Sequence, residues 1–414
     1  MNMVCPGRSL KPLNLPWPDL MTPANLPGSS SFLRFDPKRV PSPCYVVDEV
    51  ALEKNLQILA DFQSRSGAKV LLALKAFAMF SLAPLVSRYL AGTCASGLSE
   101  ALLGRLEYKG EVHVYSAAYR ASDLRDIMGI ADHVVFNSLS QWQRFKTLID
   151  EESRARPDLD IGLRINPEHS EGALPLYDPC TAGSRLGVPI SQIKDADLSM
   201  FSGLHFHTLC QQGFEPLDRT LAKIEKDLGD KLSQFDWINF GGGHHLTHPE
   251  YDLEALIIRI RDFTARYGVE VFLEPGEGIV MNTGVLVTEV LDTMENYSDI
   301  AIVDCSATCH MPDILEMPYR AHVFYSEHPG VLEHTYRIGG LSCLAGDVMG
   351  DYSFDSKLQV GDRLMFDDMS HYTMVKATTF NGMQLPAIAI WNSQTNEVRV
   401  VREFGYDDFR NRLS

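Results

Sequence analysis

From residue 44 onward, short runs of apolar and β-branched residues alternate with stretches in which apolar positions recur every three or four residues. The first pattern fits buried strands and the second amphipathic helices, so the alternation predicts repeated βα units. A helix near 50–66 precedes eight such runs: Val70–Lys75, Gly92–Ala95, Val112–Tyr115, His133–Phe136, Ile161–Ile165, Gly203–His207, Trp237–Phe240 and Val269–Glu274. Helical periodicity joins them at Leu82–Leu90, Glu100–Tyr108, Gln141–Ile149, Leu217–Leu228 and Leu253–Tyr267. Eight strands with interleaved helices predict an α/β fold, a closed (β/α)8 barrel, with an open doubly wound sheet as the alternative.

Near Asn282 the helical rhythm stops. Gly284–Leu291, Ile300–Asp304, His334–Gly339, Arg363–Phe366 and Ala387–Trp391 read as strands separated by Gly, Asp and Asn turns. Nine of the 22 prolines lie in residues 1–43, where they remove backbone donors and block helices. The expected division is therefore a proline-rich extension over 1–43, the barrel over 44–281 and a C-terminal β domain over 282–414.

Composition then removes several classes of function. The 414 residues carry 54 acidic against 37 basic side chains, and a net charge of -17 repels a phosphate backbone. No stretch reaches the ~18 uninterrupted apolar residues of a membrane span, and the first twenty residues lack the apolar run of a secretory signal. Eight cysteines without a CxxC pair read as free thiols, as expected in the cytoplasm.

Barrel chemistry sits at the C-terminal ends of the strands. Those ends supply Lys75, Cys94 with Ser96, Asn137, Arg164 with Asn166, His205 and His207, Gly241-Gly242-Gly243, and Glu274. Lys75 closes an apolar run, a low-dielectric setting that favours the neutral amine needed for a Schiff base. The triple glycine precedes a helical stretch and exposes backbone amides suited to phosphate. Glu274, buried at a strand end, needs a cationic partner, and Arg164 is available. His205 and His207 face one side of a strand, and His244 with His248 are four apart but follow glycines in a turn setting. Cys305-x3-Cys309-His310 has one residue too many for haem attachment, so no metal site is expected, with a metal-binding barrel kept as a rival.

Taken together, Leu-Ala-Leu-Lys75-Ala-Phe, His205-Phe-His207, Gly241-Gly-Gly243, Glu274-Pro-Gly276 and Gly339-Gly-Leu-Ser-Cys343 resemble the fold-type III pyridoxal-phosphate enzymes. The run from Cys305 through Asp313, Glu316 and Tyr319 to Arg320, with Gly346-Asp347-Val-Met-Gly, resembles the carboxynorspermidine (carboxyspermidine) decarboxylase family over about residues 43–414. The resemblance implies that Lys75 carries pyridoxal 5'-phosphate, that Glu274 keeps the pyridinium nitrogen protonated and that His207 stacks on the ring. It also implies a phosphate grip of Gly241, Gly242, Gly243, Gly276 and Tyr372. Alanine racemase places arginine near that nitrogen, so Glu274 favours decarboxylation. Cys343 resembles the cysteine that related decarboxylases contribute across a dimer interface to return a proton to the α-carbon, which implies a homodimer with shared sites.

Two departures bear on the substrate. Ornithine and diaminopimelate decarboxylases carry arginine after Glu-Pro-Gly, where this chain has Glu277; the diaminopimelate enzymes also hold a distal carboxylate with arginine near Glu316. Carboxylates in place of cations suit ammonium groups, so Glu277, Asp313, Glu316 and Asp347 are the candidates for binding a carboxylated triamine. Ornithine, diaminopimelate and a non-catalytic relative that binds a partner remain alternatives.

Overall fold

The computed structural model describes residues 30–172 and 175–414. After β1 (Cys44–Asp48), helix Glu49–Ser66 starts where Asp48 accepts a hydrogen bond from the Val50 amide and stops at left-handed Gly67. Its buried face of Leu52, Leu56, Leu59 and Phe62 repeats every three or four residues, as the sequence pattern required. The barrel strands follow: β2 (Lys69–Ala73), β3 (Gly92–Ala95), β4 (Glu111–Tyr115), β5 (His133–Phe136) and β6 (Asp160–Asn166). A two-residue β7 (Val188–Pro189) pairs with β6, and β8 (Gly203–His205), β9 (Trp237–Asn239) and β10 (Glu270–Leu273) complete the set. The order is β5-β4-β3-β2-β10-β9-β8-β6, and pairing of β5 with β6 closes an eight-stranded parallel barrel.

Small and large residues alternate inside it. A Cβ on Gly203 would lie 2.1 Å from the Trp237 ring, and one on Gly162 2.5 Å from it, so these glycines make the room that the indole fills. Beside Trp237, the His113 and His133 rings stack with centroids 3.8 Å apart, against Phe272. Burial and the neighbouring His113 drive His133 down to about 2, so it packs as a neutral ring.

The second sheet contains β11 (Gly284–Glu295), β12 (Asp299–Val303), β13 (His334–Gly339), β14 (Val348–Phe354), β15 (Arg363–Phe366), β16 (Ala387–Asn392) and β17 (Glu397–Arg402). Its order is β14-β13-β12-β11-β1-β16-β17, with β15 on β11. β1 therefore belongs to this sheet, antiparallel to β11 and parallel to β16, and not to the barrel segment expected from residue 44. All five of its residues are buried, and the run Cys44–Val47 ahead of Asp48 carries no mark of the sheet it joins.

The expected extension over 1–43 also changes. Residues 1–29 lie outside the described residues, but Phe32 and Phe35 each set a ring 5.0 Å from Trp391 of β16 and help to build that sheet's core. The helix expected over Leu82–Leu90 shrinks to Ala83–Val86, with Pro84 in its first turn, and an unforeseen helix fills Ala121–Ile130. No helix of the described residues is long and apolar enough to cross a membrane. If residues 30–43 are structural, Phe32→Ala will destabilise the protein by about 3 kcal/mol through the cavity it leaves, read as a lower urea-unfolding midpoint. An unchanged midpoint would show that the segment is dispensable.

Candidate active site

The C-terminal barrel ends and the adjoining face of the second sheet enclose a cavity of about 1610 Å3. Lys75, His207, Gly243, Glu274, Gly276, Glu277, Asp313 and Tyr372 all line it. Residues far apart in sequence are thus assembled around one cavity.

Lys75 follows β2 on a turn in which the Ala76 amide bonds back to the Ala73 carbonyl. Because the strand stops at Ala73, the lysine is exposed to the cavity and not enclosed by apolar neighbours, which corrects the low-dielectric expectation. The Tyr372 amide donates to the Ala76 carbonyl at 2.8 Å, fastening the lysine turn to the second domain. Tyr372 makes that bond from a left-handed conformation, φ 55°.

Glu274 stands just past β10. Its Oε1 accepts from Asn239 Nδ2 at 2.7 Å, and its Oε2 lies 3.1 Å from His205 Nε2. Burial raises the Glu274 carboxyl, but His205 outweighs it and holds the group at about 2. Burial lowers His205, so the pair is a carboxylate accepting an imidazole N–H. Arg164, the partner expected from sequence, instead lies 4.4 Å over the Tyr115 ring and donates to the His207 carbonyl. Stacking on an aromatic face satisfies a guanidinium without a carboxylate.

His207 accepts the Gly242 amide on Nδ1 at 2.9 Å, which leaves Nε2 as its N–H. Burial drives this ring well below the ordinary histidine range, so it offers a neutral face to the cavity. The two histidines thus have separate partners and do not converge on a shared ion.

The triple glycine is not at a helix N-terminus, since the next helix begins only at Leu253. The Gly241 amide is taken by Asn239 Oδ1 and that of Gly242 by His207, so of the three residues only Gly243 lines the cavity. A Cβ on Gly243 would sit 2.0 Å from the Leu209 carbonyl oxygen, and one on Gly276 2.4 Å from the Ala76 methyl. The expected phosphate grip therefore divides: Gly243, Gly276 and Tyr372 face the cavity, while Gly241 and Gly242 shape the turn beneath it.

The acidic candidates divide as well. Glu277 accepts from Gln211 at 2.9 Å and has His245 and His371 at 3.4 and 3.8 Å. Burial raises its carboxyl, but His371, His245 and Gln211 hold it at about 2. Asp313 Oδ1 lies 2.6 Å from Lys376 Nζ, which also bonds Glu316, itself outside the cavity lining. Asp347 does not reach the cavity. It is buried, takes the Ser306 hydroxyl at 2.8 Å and the Ala307 and Ser342 amides at 2.7 and 3.0 Å, and so ties the Cys343 loop to helix Ala307–His310. Its oxygens are taken by these internal donors, so within this chain Asp347 holds the loop and does not face the cavity. Cys343 is exposed and does not line the cavity within one chain.

Sequence reasoning missed His371, Gln211 and Lys376. Their cavity-lining partners Glu277, Glu277 and Asp313 are 94, 66 and 63 residues away, and only Asp368, three residues before His371, is a local signal.

A primary amine in a cleft, a flat neutral histidine, a fixed carboxylate and glycines that let backbone approach closely form the donor set of a pyridoxal-phosphate site. Three comparisons agree. The family model for the C-terminal sheet domain of pyridoxal-dependent decarboxylases matches residues 44–370. The chain is 46% identical over 376 residues to a carboxyaminopropylagmatine decarboxylase of Synechocystis sp., covering 90% of this chain and 96% of the relative. It is 40% identical over 383 residues to a carboxynorspermidine/carboxyspermidine decarboxylase of Campylobacter jejuni, covering 90% and 98%. A crystal structure of carboxynorspermidine decarboxylase from Campylobacter jejuni complexed with norspermidine superimposes with a TM-score of 0.83, covering 90% of this chain and all of that one. The chain belongs to the pyridoxal-dependent decarboxylases, in the family of the carboxynorspermidine/carboxyspermidine decarboxylases.

His371 gives the site a measurable pH signature. Burial opposes its charge, but Glu277 and Asp368 outweigh burial and raise the ring to about 9. A histidine raised on folding contributes full stability below its unfolded value near 6.5 and loses it as pH climbs through about 9. His371→Gln should therefore lower Tm at pH 6 and converge with the wild type by about pH 10. A Tm difference that does not change with pH would contradict this assignment.

Proposed function

We propose that this enzyme decarboxylates carboxynorspermidine to norspermidine and carboxyspermidine to spermidine, releasing CO2, in polyamine biosynthesis. The observation that carries the reading is the identity of 40% over 383 residues to the carboxynorspermidine/carboxyspermidine decarboxylase of Campylobacter jejuni. The acids Glu277 and Asp313 in the cavity with Lys75 support it, because they suit a cationic tail.

Pyridoxal phosphate, when bound, supplies the electron sink for the pair left as the carboxylate departs. The chain does the rest. Lys75, whose amine faces the cavity, would hold the cofactor through Nζ. Glu274, ionised and fixed by Asn239 and His205, would keep a proton on the ring nitrogen. His207 would offer its neutral ring to the cofactor, and Gly243, Gly276 and Tyr372, which line the same cavity, would hold its phosphate. The Cys343 thiol of a second subunit returns a proton to the α-carbon, so the working form is a homodimer whose sites need both chains. The exposure of Cys343 supports that arrangement. Free thiols among the described cysteines support a cytoplasmic location.

The identity of 46% to the Synechocystis relative favours a second substrate, carboxyaminopropylagmatine, whose guanidino tail is also cationic. The deciding assay offers the purified holoenzyme each of the three carboxylated polyamines, ornithine and diaminopimelate separately, with amine products resolved by chromatography. Turnover is expected on the carboxylated polyamines; turnover confined to ornithine or diaminopimelate would overturn the substrate assignment. In the same assay Lys75→Ala should lose at least about a thousandfold in kcat. Mixing Lys75→Ala with Cys343→Ala subunits should restore about a quarter of wild-type activity, because half the dimers are mixed and each holds one intact site. No recovery on mixing would refute shared sites.

A further inference from the structure

Glu274, Glu277 and Asp313 line the cavity, and each already has a partner inside the chain. The partners differ in kind. Glu274 is held by buried groups on β8 and β9, and Glu277 by Gln211 with two histidine rings beside it. Asp313 is held by Lys376, an ammonium on a flexible stem, 31% exposed and itself part of the cavity wall. Asp313 and Glu316 open and close one short helix, Asp313–Glu316, so their carboxylates point to the same side and meet at that single cation. Lys376 ends helix Thr373–Lys376, directly after Tyr372, which is tied to the Lys75 turn. Chemically, the Lys376 terminus is a primary alkylammonium, the same group that ends a polyamine.

We propose that Lys376 is a specificity-determining residue whose ammonium occupies Asp313 and Glu316 in place of a polyamine's distal amine, and that the substrate binds there by exchanging with it. This rests on the decarboxylase reading above and adds how its tail is recognised. A distal ammonium can replace Nζ bond for bond, and a guanidinium can fork across both carboxylates. An apolar or anionic tail can do neither, and meets a pair that Lys376 keeps closed.

The exchange also has a kinetic use. Decarboxylation does not alter the distal amine, so any grip on it is the same in substrate, transition state and product. Two unpaired carboxylates would hold the product as firmly as the substrate. A resident cation weakens both equally and keeps the product leaving.

The test compares wild-type holoenzyme with Lys376→Met and Lys376→Arg, measuring KM and kcat for carboxynorspermidine and the inhibition constant of norspermidine. Removing the resident cation should lower both KM and the inhibition constant, by about three- to tenfold, without raising kcat. Lys376→Arg, which keeps a cation at the pair, should return both constants toward the wild type. Adding Asp313→Asn to Lys376→Met should cancel the gain. A KM and inhibition constant that stay level or rise in Lys376→Met, while the wild type turns over carboxynorspermidine, would overturn the exchange alone and leave Lys376 as a support for its helix. A wild type inactive on every carboxylated polyamine would remove the functional reading and the exchange with it.

Discussion

Keeping Glu274 ionised inside the barrel mouth sets conditions that the neighbouring strands must meet. Enclosing a carboxylate costs several kcal/mol unless donors replace its water. Here Asn239 donates at 2.7 Å from the end of β9 and His205 lies at 3.1 Å from the end of β8. Three adjacent strands must therefore end at one level. The same groups fix the turn that follows: Asn239 Oδ1 takes the Gly241 amide, Gly241 returns its carbonyl to the Glu274 amide, and the Gly242 amide goes to His207. A Cβ on Gly242 would meet the Glu274 carbonyl oxygen at 2.2 Å, so glycine is what lets the turn lie this close. The carboxylate, the flat histidine and the glycine turn are one network.

The second sheet depends on that barrel mouth and completes it. The Tyr372 amide holds the Ala76 carbonyl beside Lys75, and the β1 strand runs straight into the helix Glu49–Ser66 that covers the barrel. One strand and one hydrogen-bonded turn thus set where Tyr372, His371 and Lys376 face the lysine. Asp347 does comparable work further out, accepting from the Ser306 hydroxyl and the Ala307 and Ser342 amides so that the exposed Cys343 loop has a fixed origin.

Much of this was legible in the residues before any coordinates. The eight barrel strands could be read because parallel strands are buried on both faces, and Lys75, His207, Glu274 and the glycines followed from asking what ends each strand. What could not be read shares a cause. Apolar patterning reports burial and is silent on partners, so residues 44–48 were grouped with the barrel segment and Phe32 with the proline-rich extension. Arg164 was the nearest obvious cation for Glu274, yet a neutral histidine and an amide could do the work at lower desolvation cost. Lys376 lies 63 residues from Asp313, and the short helices that carry them are brought together by Ala307–His310, which packs against both.

The two ends of the cavity operate under different electrostatics, and this divides their roles. Around Glu274 the donors are buried and already oriented, so they act on developing charge without reorganising, the condition under which electrostatic stabilisation is largest. Around Asp313 and Glu316 the side chains are 24% and 50% exposed, water screens them, and each contact is worth only about 1 kcal/mol or less. One methylene more or less in a substrate tail is worth about 1–3 kcal/mol in a fitted apolar pocket, and less where the tail is held by screened charges. On the proposed function, the reaction is therefore set tightly at the lysine end, while the range of cationic tails accepted is set loosely at the other. That division fits a family whose members act on tails differing in length and in the choice of ammonium or guanidinium.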